Sequence, residues 1–429
     1  MKINQGILSN IKQVLVYAYV WQIPFSWRLI FVPNRSHYST GFNEYMDISL
    51  YIGEILLIFA LIIHILEYYM YKKSILSNFR LKLDHFVKFH VERLVTTTLV
   101  GLCLFINIFY SIDLVLSISY ILHILGILLF IFFLNEQNVS RGTIVIRELV
   151  KIFAVSLVIQ LIIGLFQIFA GSSIGLKFLN ESILSITMNN VAKSHFFDHI
   201  ILRSYGTFPH PNIFASFGLL VLVYIFMYRD FLFHVERKFT MCAIISAILV
   251  VLVSQSKLAF IFLVFCVFIF FTRNIKLFHV KHWKKVVLGL IFLLPVISVF
   301  NQDIKTSLTT RFQQFELQKD FIKPSLFGYG IGTYRLTYDV SVEEWWNKEP
   351  IHFVPIIVLS EFGVVLFLLV IVSIFKYILN VPRETLPKLT PPALFVLFMI
   401  SVDHYAWDIY QGQIFLVFTA WLITNIDKN

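Results

Sequence analysis

The sequence predicts an all-α, polytopic integral membrane protein of about twelve transmembrane helices with one large extracytoplasmic loop. Three observations predict it. The 429 residues are 58% hydrophobic and 14% charged, whereas soluble domains run near 45–50% apolar and about 25% charged. Uncharged runs such as 114–134 and 286–300 recur along the whole chain, and they reach or approach the ~20 residues that cross a bilayer as a helix. A membrane barrel would instead show alternating segments of roughly ten residues. Finally, the polar gaps between the runs alternate in charge from one to the next.

In order, the expected spans are 11–33, 46–70, 90–110, 114–134, 145–170, 207–228, 239–255, 257–273, 284–300, 352–379, 390–403 and 411–426. The first holds Pro24 and Arg28 and lacks a small-residue cleavage pattern, so no cleavable signal peptide is expected. The eleventh is short and is opened by Pro391-Pro392, which suits a tilted span or one that starts inside a vestibule. No repeat of 20–50 residues and no low-complexity linker interrupts the series. Residues 1–429 therefore read as one integral domain.

Orientation follows from the basic gaps. Residues 71–93, 135–151, 228–238, 273–285 and 376–388 concentrate lysine and arginine, and such gaps face the cytoplasm. Both termini then lie on the cytoplasmic side. The gaps 34–45, 111–113, 171–206, 254–257, 301–350 and 404–410 lie outside. The net charge of +10 is explained by anchoring against anionic lipid, and no nucleic-acid partner is expected. Cys103, Cys242 and Cys266 all fall in apolar runs. Free thiols behaving as small hydrophobes fit them, and neither a disulfide framework nor a zinc spacing is present.

Two outer loops are long enough to hold structure. In the smaller, 171–206, apolar residues from Ile174 to Met188 suggest short interfacial pieces. In the larger, 301–350, Ile304, Leu308, Phe312, Phe315 and Ile322 recur near the helical period. An amphipathic helix is expected there, laying an apolar stripe on the membrane or on the bundle.

Chemistry-bearing residues gather at the outer ends of the spans. Arg203-Ser204-Tyr205-Gly206-Thr207-Phe208-Pro209-His210-Pro211-Asn212 opens the sixth span. Its prolines force an extended approach, and Asn212 falls in the first helical turn, where it can cap. Arg203 sits at phosphate level, for ordinary lipid headgroups or for a bound diphosphate. Ser254-Gln255-Ser256-Lys257 is a polar tetrad between two apolar runs. Lys257 either snorkels to the interface or joins Arg203 in clamping a diphosphate. His352, at the exit of the large loop, is a titratable imidazole at the membrane boundary, suited to accept a hydroxyl proton or to serve structure. Glu361 lies nine residues on, about 180° round a helix and ~13 Å deeper, so it pairs inside the bundle rather than with His352. Asp403-His404-Tyr405-Ala406-Trp407-Asp408, followed by Gln411-Gly412-Gln413, offers carboxylates for sugar hydroxyls and rings for stacking, or else an aromatic belt. Together these suit one reaction: a lipid-linked diphosphate leaves while a sugar hydroxyl attacks, and protein cations stabilise the departing charge. No acidic pair of nucleotide-sugar type appears, so no metal or cofactor is called for.

At these residues the chain resembles the O-antigen ligase and O-antigen polymerase superfamily. The stretch from Arg203 through Gly206, Pro211 and Asn212 looks like the family's R-x-x-G-T-F-x-x-P-N. Phe327-Gly328-Tyr329-Gly330-Ile331-Gly332-Thr333-Tyr334 is similar to the glycine-rich element late in its large loop. His352 with Leu359, Glu361 and Gly363 resembles its H-N-x-[FY]-L-x-x-x-x-E-x-G helix, and Asp403, His404, Tyr405 and Trp407 with the glutamines that follow resemble its C-terminal motif. The resemblance runs from about residue 200 to 425, in family order.

That resemblance implies a GT-C-type membrane glycosyltransferase in the bacterial cytoplasmic membrane. Its donor would be an undecaprenyl-diphosphate-linked glycan and its acceptor a glycan or lipid-linked glycan. Arg203 would bind the diphosphate and His352 would activate the acceptor hydroxyl, with inversion and without metal. Asp403, His404, Tyr405 and Trp407 would contact sugars. Two residues depart from the pattern. Ser256-Lys257 stands where the family has Ser-Arg, which keeps the charge and loses the fork; Arg311 or Arg335 from the loop would substitute. Phe353 stands where the family has asparagine. A lipid-linked oligosaccharide flippase or other polysaccharide transporter is the alternative, and it would show an internal repeat, and ionisable or broken helices near the bilayer midplane.

Overall fold

The computed structural model describes residues 5–32, 47–71, 98–189, 191–196, 199–274, 301–319, 322, 325–337, 350–382 and 385–425. The expected ninth span, 284–300, and most of the basic gap 71–93 lie outside these residues. The chain is mostly helical. It opens with α1 (Gln5–Gln22), strands β1 (Arg28–Val32) and β2 (Ile48–Tyr51), α2 (Ile52–Tyr71) and α3 (Thr98–Phe109). Next come α4 (Leu114–Arg141), α5 (Thr143–Ala170) and the hairpin β3 (Lys193–Phe196) and β4 (His199–Leu202). The second half holds α6 (Pro211–Met227), α7 (Arg229–Val235), α8 (Arg237–Ser254), α9 (Lys257–Asn274), α10 (Asn301–Gln318), α11 (Val354–Leu379), α12 (Leu386–Val402), α13 (Tyr405–Asp408) and α14 (Tyr410–Thr424).

Among the described residues, five helices are long and apolar enough to cross a membrane: within α2, α4, α5, α8 and α11. They become six if α6 and α7, bent by 88° at their junction, form one broken span. Shorter apolar helices occupy the expected third, eighth and eleventh spans. Ile58, Phe59, Ile62 and Leu66 of α2 and Leu122, Leu125 and Phe132 of α4 stay exposed, as a lipid-facing surface requires.

Local chemistry sets the helix ends. The first expected span, 11–33, is not one helix. Pro24 lies two residues beyond the end of α1, Ser26 takes a left-handed φ of +46°, and the chain turns into β1, which pairs antiparallel with β2. Asp113 caps α4, its carboxylate accepting from Val115 and Leu116 N–H at 3.1 Å. Gln255, in the left-handed region, and Ser256 join α8 to α9, so the 254–257 turn is as tight as expected. Pro391 and Pro392 lie inside α12 rather than opening it. The hydrogen bonds they remove fall in its first two turns, where Lys388 and Thr390 are exposed.

The helices pack around a continuous apolar core that includes Val16, Phe130, Leu149, Phe153, Phe208, Phe214, Phe217, Tyr224, Phe395 and Phe415. Two poles result. One holds the starts of α4, α6, α9, α11 and α14 and the ends of α5, α8 and α12. At the other, Lys12 of α1 binds Glu67 of α2 at 2.7 Å and Glu136 of α4 at 2.6 Å, and Trp421 Nε1 donates to Asn135 Oδ1 at 2.8 Å. The α4–α5 and α11–α12 connections, both in basic stretches, lie at this second pole.

The tenth expected span is broken. Gly363, inside α11, has φ +77° and ψ 172°, so the backbone groups around it lose their helical partners. The glycine-rich segment replaces them. Tyr329 N donates to Ser360 O at 3.1 Å, Val364 N to Ser325 O at 3.0 Å and Val365 N to Leu326 O at 3.2 Å. Asn107 of α3 reinforces the splice, its amide donating to Glu361 O at 2.7 Å and accepting from Ile331 N at 3.2 Å. The two backbones approach so closely that a Cβ on Gly328 would overlap the Glu361 carbonyl, and one on Gly363 would overlap Gly328 N.

Candidate functional site

His210 ends the extended Pro-His-Pro approach as the N-cap of α6, with Nδ1 accepting from Asn212 N at 3.2 Å and Pro211 at the first helical position. The cap expected of Asn212 thus falls to His210, and the Asn212 side chain sits instead at the centre of a polar relay. Its carbonyl oxygen accepts from Arg203 Nη2 at 2.8 Å and from Ser256 Oγ at 3.0 Å. Its amide nitrogen donates to Asp403 Oδ2 at 2.8 Å. Arg203 also donates through Nε to Ser254 O at 2.9 Å. The tetrad 254–257 therefore sits against Arg203 and Asn212, with Lys257 at its end.

Asp403 is the next link. It leaves α12 in an extended conformation, and its Oδ1 accepts from His404 N at 2.9 Å. That oxygen lies 3.9 Å from His352 Nε2 and 3.8 Å from His404 Nε2. The two imidazoles meet edge to face with centroids 5.2 Å apart. His404 Nδ1 lies 3.1 Å from Asp408 Oδ2, one helical turn on. One ligand atom from each of His352, Asp403 and His404 lies within 4.8 Å of the other two, near enough to share a cation.

Charge and burial act against each other here. Burial lowers the Arg203 guanidinium to about 10, which leaves it a cation at neutral pH. Burial likewise takes the His210 imidazole down to about 4 and the His352 imidazole to about 3, against the pull of Asp403. Burial alone would raise the Asp403 carboxyl; its neighbours His352, His404, His210 and Arg311 more than reverse this and hold it below the ordinary carboxylate range. Asp408 is raised by burial.

Arg311 acts on His352, His210 and Asp403 alike, so α10 brings its guanidinium to the site. Arg335 is buried beside Tyr334 instead. The helix expected in the large loop is present as α10. Gln314 and Gln318 are buried and Phe315 packs near Tyr334 and Ile357, while Phe312 is 64% exposed. Gln318 Oε1 accepts from the Tyr334 hydroxyl at 3.1 Å. The side chains of Ile304 and Leu308 lie outside the described ones.

Glu361 takes no direct part. As expected, it pairs within the bundle: Oε1 accepts from Tyr334 N at 3.0 Å and Oε2 from Trp407 Nε1 at 2.7 Å. Trp407 meets Phe362 edge to face at 5.2 Å. The Tyr405 ring is buried and its hydroxyl meets Ser216 Oγ, so it faces the core rather than an open stacking surface.

Two supporting residues escaped the sequence reading. Gln160 of α5 accepts from Thr207 N at 2.8 Å and donates to Thr207 Oγ1 at 2.8 Å. Gln167 accepts from Tyr205 N and Gly206 N and donates to Gly206 O at 2.7 Å. Together they hold the segment that carries Arg203. Their signal was two glutamines seven residues apart on one face of an apolar helix. No family model matches this chain, and no curated protein or solved structure matches it either.

Proposed function

We propose that this chain is a membrane glycosyltransferase. It moves a glycan from an undecaprenyl-diphosphate carrier to a sugar hydroxyl at the outer face of the bacterial cytoplasmic membrane, as a surface-polysaccharide ligase or polymerase of GT-C type. One observation carries this reading. Arg203, Asn212, His352 and Asp403, from three separate stretches of sequence, converge on a single polar relay at one pole of an apolar bundle.

In this reading the acceptor hydroxyl gives its proton to His352 Nε2 as its oxygen attacks the anomeric carbon. The bond from that carbon to the diphosphate oxygen breaks, and the lipid diphosphate leaves with the electron pair. Attack from the face opposite the leaving group inverts the centre. Arg203, Lys257 and Arg311 supply the positive charge for the departing diphosphate, and a metal is not needed for the step. An imidazole held near 3 is a weak base. A diphosphate beside it favours the charged form and raises its basicity, so His352 becomes competent only with donor in place. Asp403 then stabilises the imidazolium. In this reading the pole with the basic connections faces the cytoplasm, and the opposite pole, which carries the relay and α10, meets the acceptor.

The polar relay lies at one end of the helices, which favours an enzyme over alternating access. The Glu54–His123 pair, 2.6 Å apart, joins the first turn of α2 to the third turn of α4.

The test is transfer from a lipid-diphosphate-linked glycan by protein reconstituted in lipid discs. His352→Ala should lower transfer by ~10²–10⁴-fold, the range for a lost general base, at unchanged protein abundance. Arg203→Ala should weaken donor use. Normal transfer by His352→Ala would overturn the assignment. In cells lacking the protein, single repeat units on the carrier would indicate a polymerase and long unattached chains a ligase.

A further inference from the structure

We infer that His352 Nε2, Asp403 Oδ1 and His404 Nε2 form a three-donor site for a first-row transition cation such as Zn²⁺ or Co²⁺. The donors come from the residue before the N-cap of α11 and from the α12–α13 connection. The carboxylate oxygen is 3.9 Å from one imidazole nitrogen and 3.8 Å from the other. Bonds of roughly 2.0–2.2 Å to a tetrahedral Zn²⁺ put donor pairs about 3.4 Å apart, so each carboxylate–imidazole pair closes by about half an ångström, and the two imidazoles, within 4.8 Å, draw together around the ion.

What distinguishes the cluster from three adjacent polar residues is how each donor is held. His404 turns Nδ1 toward Asp408 Oδ2 at 3.1 Å, the carboxylate–histidine arrangement that aims the opposite nitrogen at a metal. Asn212 fixes Asp403 Oδ2 at 2.8 Å, which leaves Oδ1 toward the imidazoles. Two imidazoles with one carboxylate suit zinc, cobalt, iron or manganese. Calcium and magnesium prefer all-oxygen sets. Three protein donors leave a fourth position for water or an added ligand. Arg311 faces the same groups and opposes a second positive charge, so the site binds more weakly than a closed structural zinc site.

The binding stands independently of the transferase reading; its consequence rests on that reading. A cation on His352 Nε2 occupies the lone pair that accepts the acceptor's proton, so added metal inhibits transfer.

The experiment uses full-length, tag-free protein in detergent, titrated with Co²⁺ and followed by its visible absorption, with Zn²⁺ as competitor. Wild type should bind one equivalent and release it to Zn²⁺. His404→Gln and Asp403→Asn should each weaken Co²⁺ at least tenfold; the asparagine keeps an acceptor for Asn212. Asp408→Asn should weaken it by roughly 10–100-fold, as loss of an outer partner does. A second group, His64, Glu67 and Glu136, is also close enough to hold an ion, although Lys12 already lies among its carboxylates. Absorption that survives His404→Gln and Asp403→Asn but is lost in His64→Gln would overturn the assignment, as would no bound Co²⁺ in folded wild type. Metal bound without inhibition of an active preparation would leave the site standing and count against His352 as the base.

Discussion

The Asn212 amide nitrogen donates to Asp403 Oδ2 at 2.8 Å across 191 positions of chain. Because the carbonyl of the same amide accepts from Arg203 and Ser256, Asn212 joins the cationic and the acid–base halves of the site. An amide is the side chain that offers both a donor and an acceptor here. Asn212→Asp keeps the acceptor and sets a carboxylate against Asp403. Transfer should fall at least ~100-fold, since a like charge and an unpaired buried oxygen each cost about 1–3 kcal/mol. Thermal unfolding and transfer assays on the same preparation check it.

Glu361 accepts from two donors, Tyr334 N and Trp407 Nε1. Glu361→Gln leaves one accepting oxygen and turns an NH₂ toward the other donor. The expected loss is about 1–3 kcal/mol of stability, read as a lower midpoint of thermal unfolding. Trp407 fluorescence should change along with it.

The splice between the glycine-rich segment and α11 tolerates no side chain. Gly363→Ala adds a Cβ at φ +77°, into Gly328 N. Destabilisation should exceed ~2 kcal/mol, from left-handed strain together with overlap against backbone. Gly101, whose Cβ would meet nothing within 4 Å, is the control: Gly101→Ala should unfold at or above the wild-type temperature.

His210 sets a pH dependence of stability. Its folded value, about 4, lies below its ordinary 6.5, so between those two values the unfolded chain binds the proton and the native one does not. Stability is therefore complete above 6.5 and falls as the pH drops toward 4. Protonation of Nδ1 also removes the acceptor that caps α6. His210→Asn keeps a capping oxygen and should flatten this part of the unfolding-temperature profile.

Much of the architecture was legible because hydropathy and local chemistry act over short distances. The apolar runs of α4, α5, α8 and α11, the tight turn at Gln255-Ser256 and the extended approach through Pro209-His210-Pro211 all depend on residues within one or two turns. The break at Gly363 was not legible. A glycine in an apolar run reads as an ordinary helical residue unless the segment that satisfies its neighbours, 325–331, is known to dock there. Which residues of α10 turn inward was likewise decided by its partners: Phe315 packs near Tyr334 and Ile357 and Gln318 accepts from the Tyr334 hydroxyl, while Phe312 stays exposed.

The candidate site divides in the same way. By itself the sequence determined which residue types stand at the helix ends and that the chain suits a bilayer, since charge, length and hydropathy are properties of segments. Only the tertiary structure decided their grouping. Arg311 comes to His352 while Arg335 is buried elsewhere, Tyr405 turns to the core, and His404 joins His352 on one carboxylate. Those outcomes depend on which helix ends meet, and that is settled by packing between segments as much as two hundred residues apart.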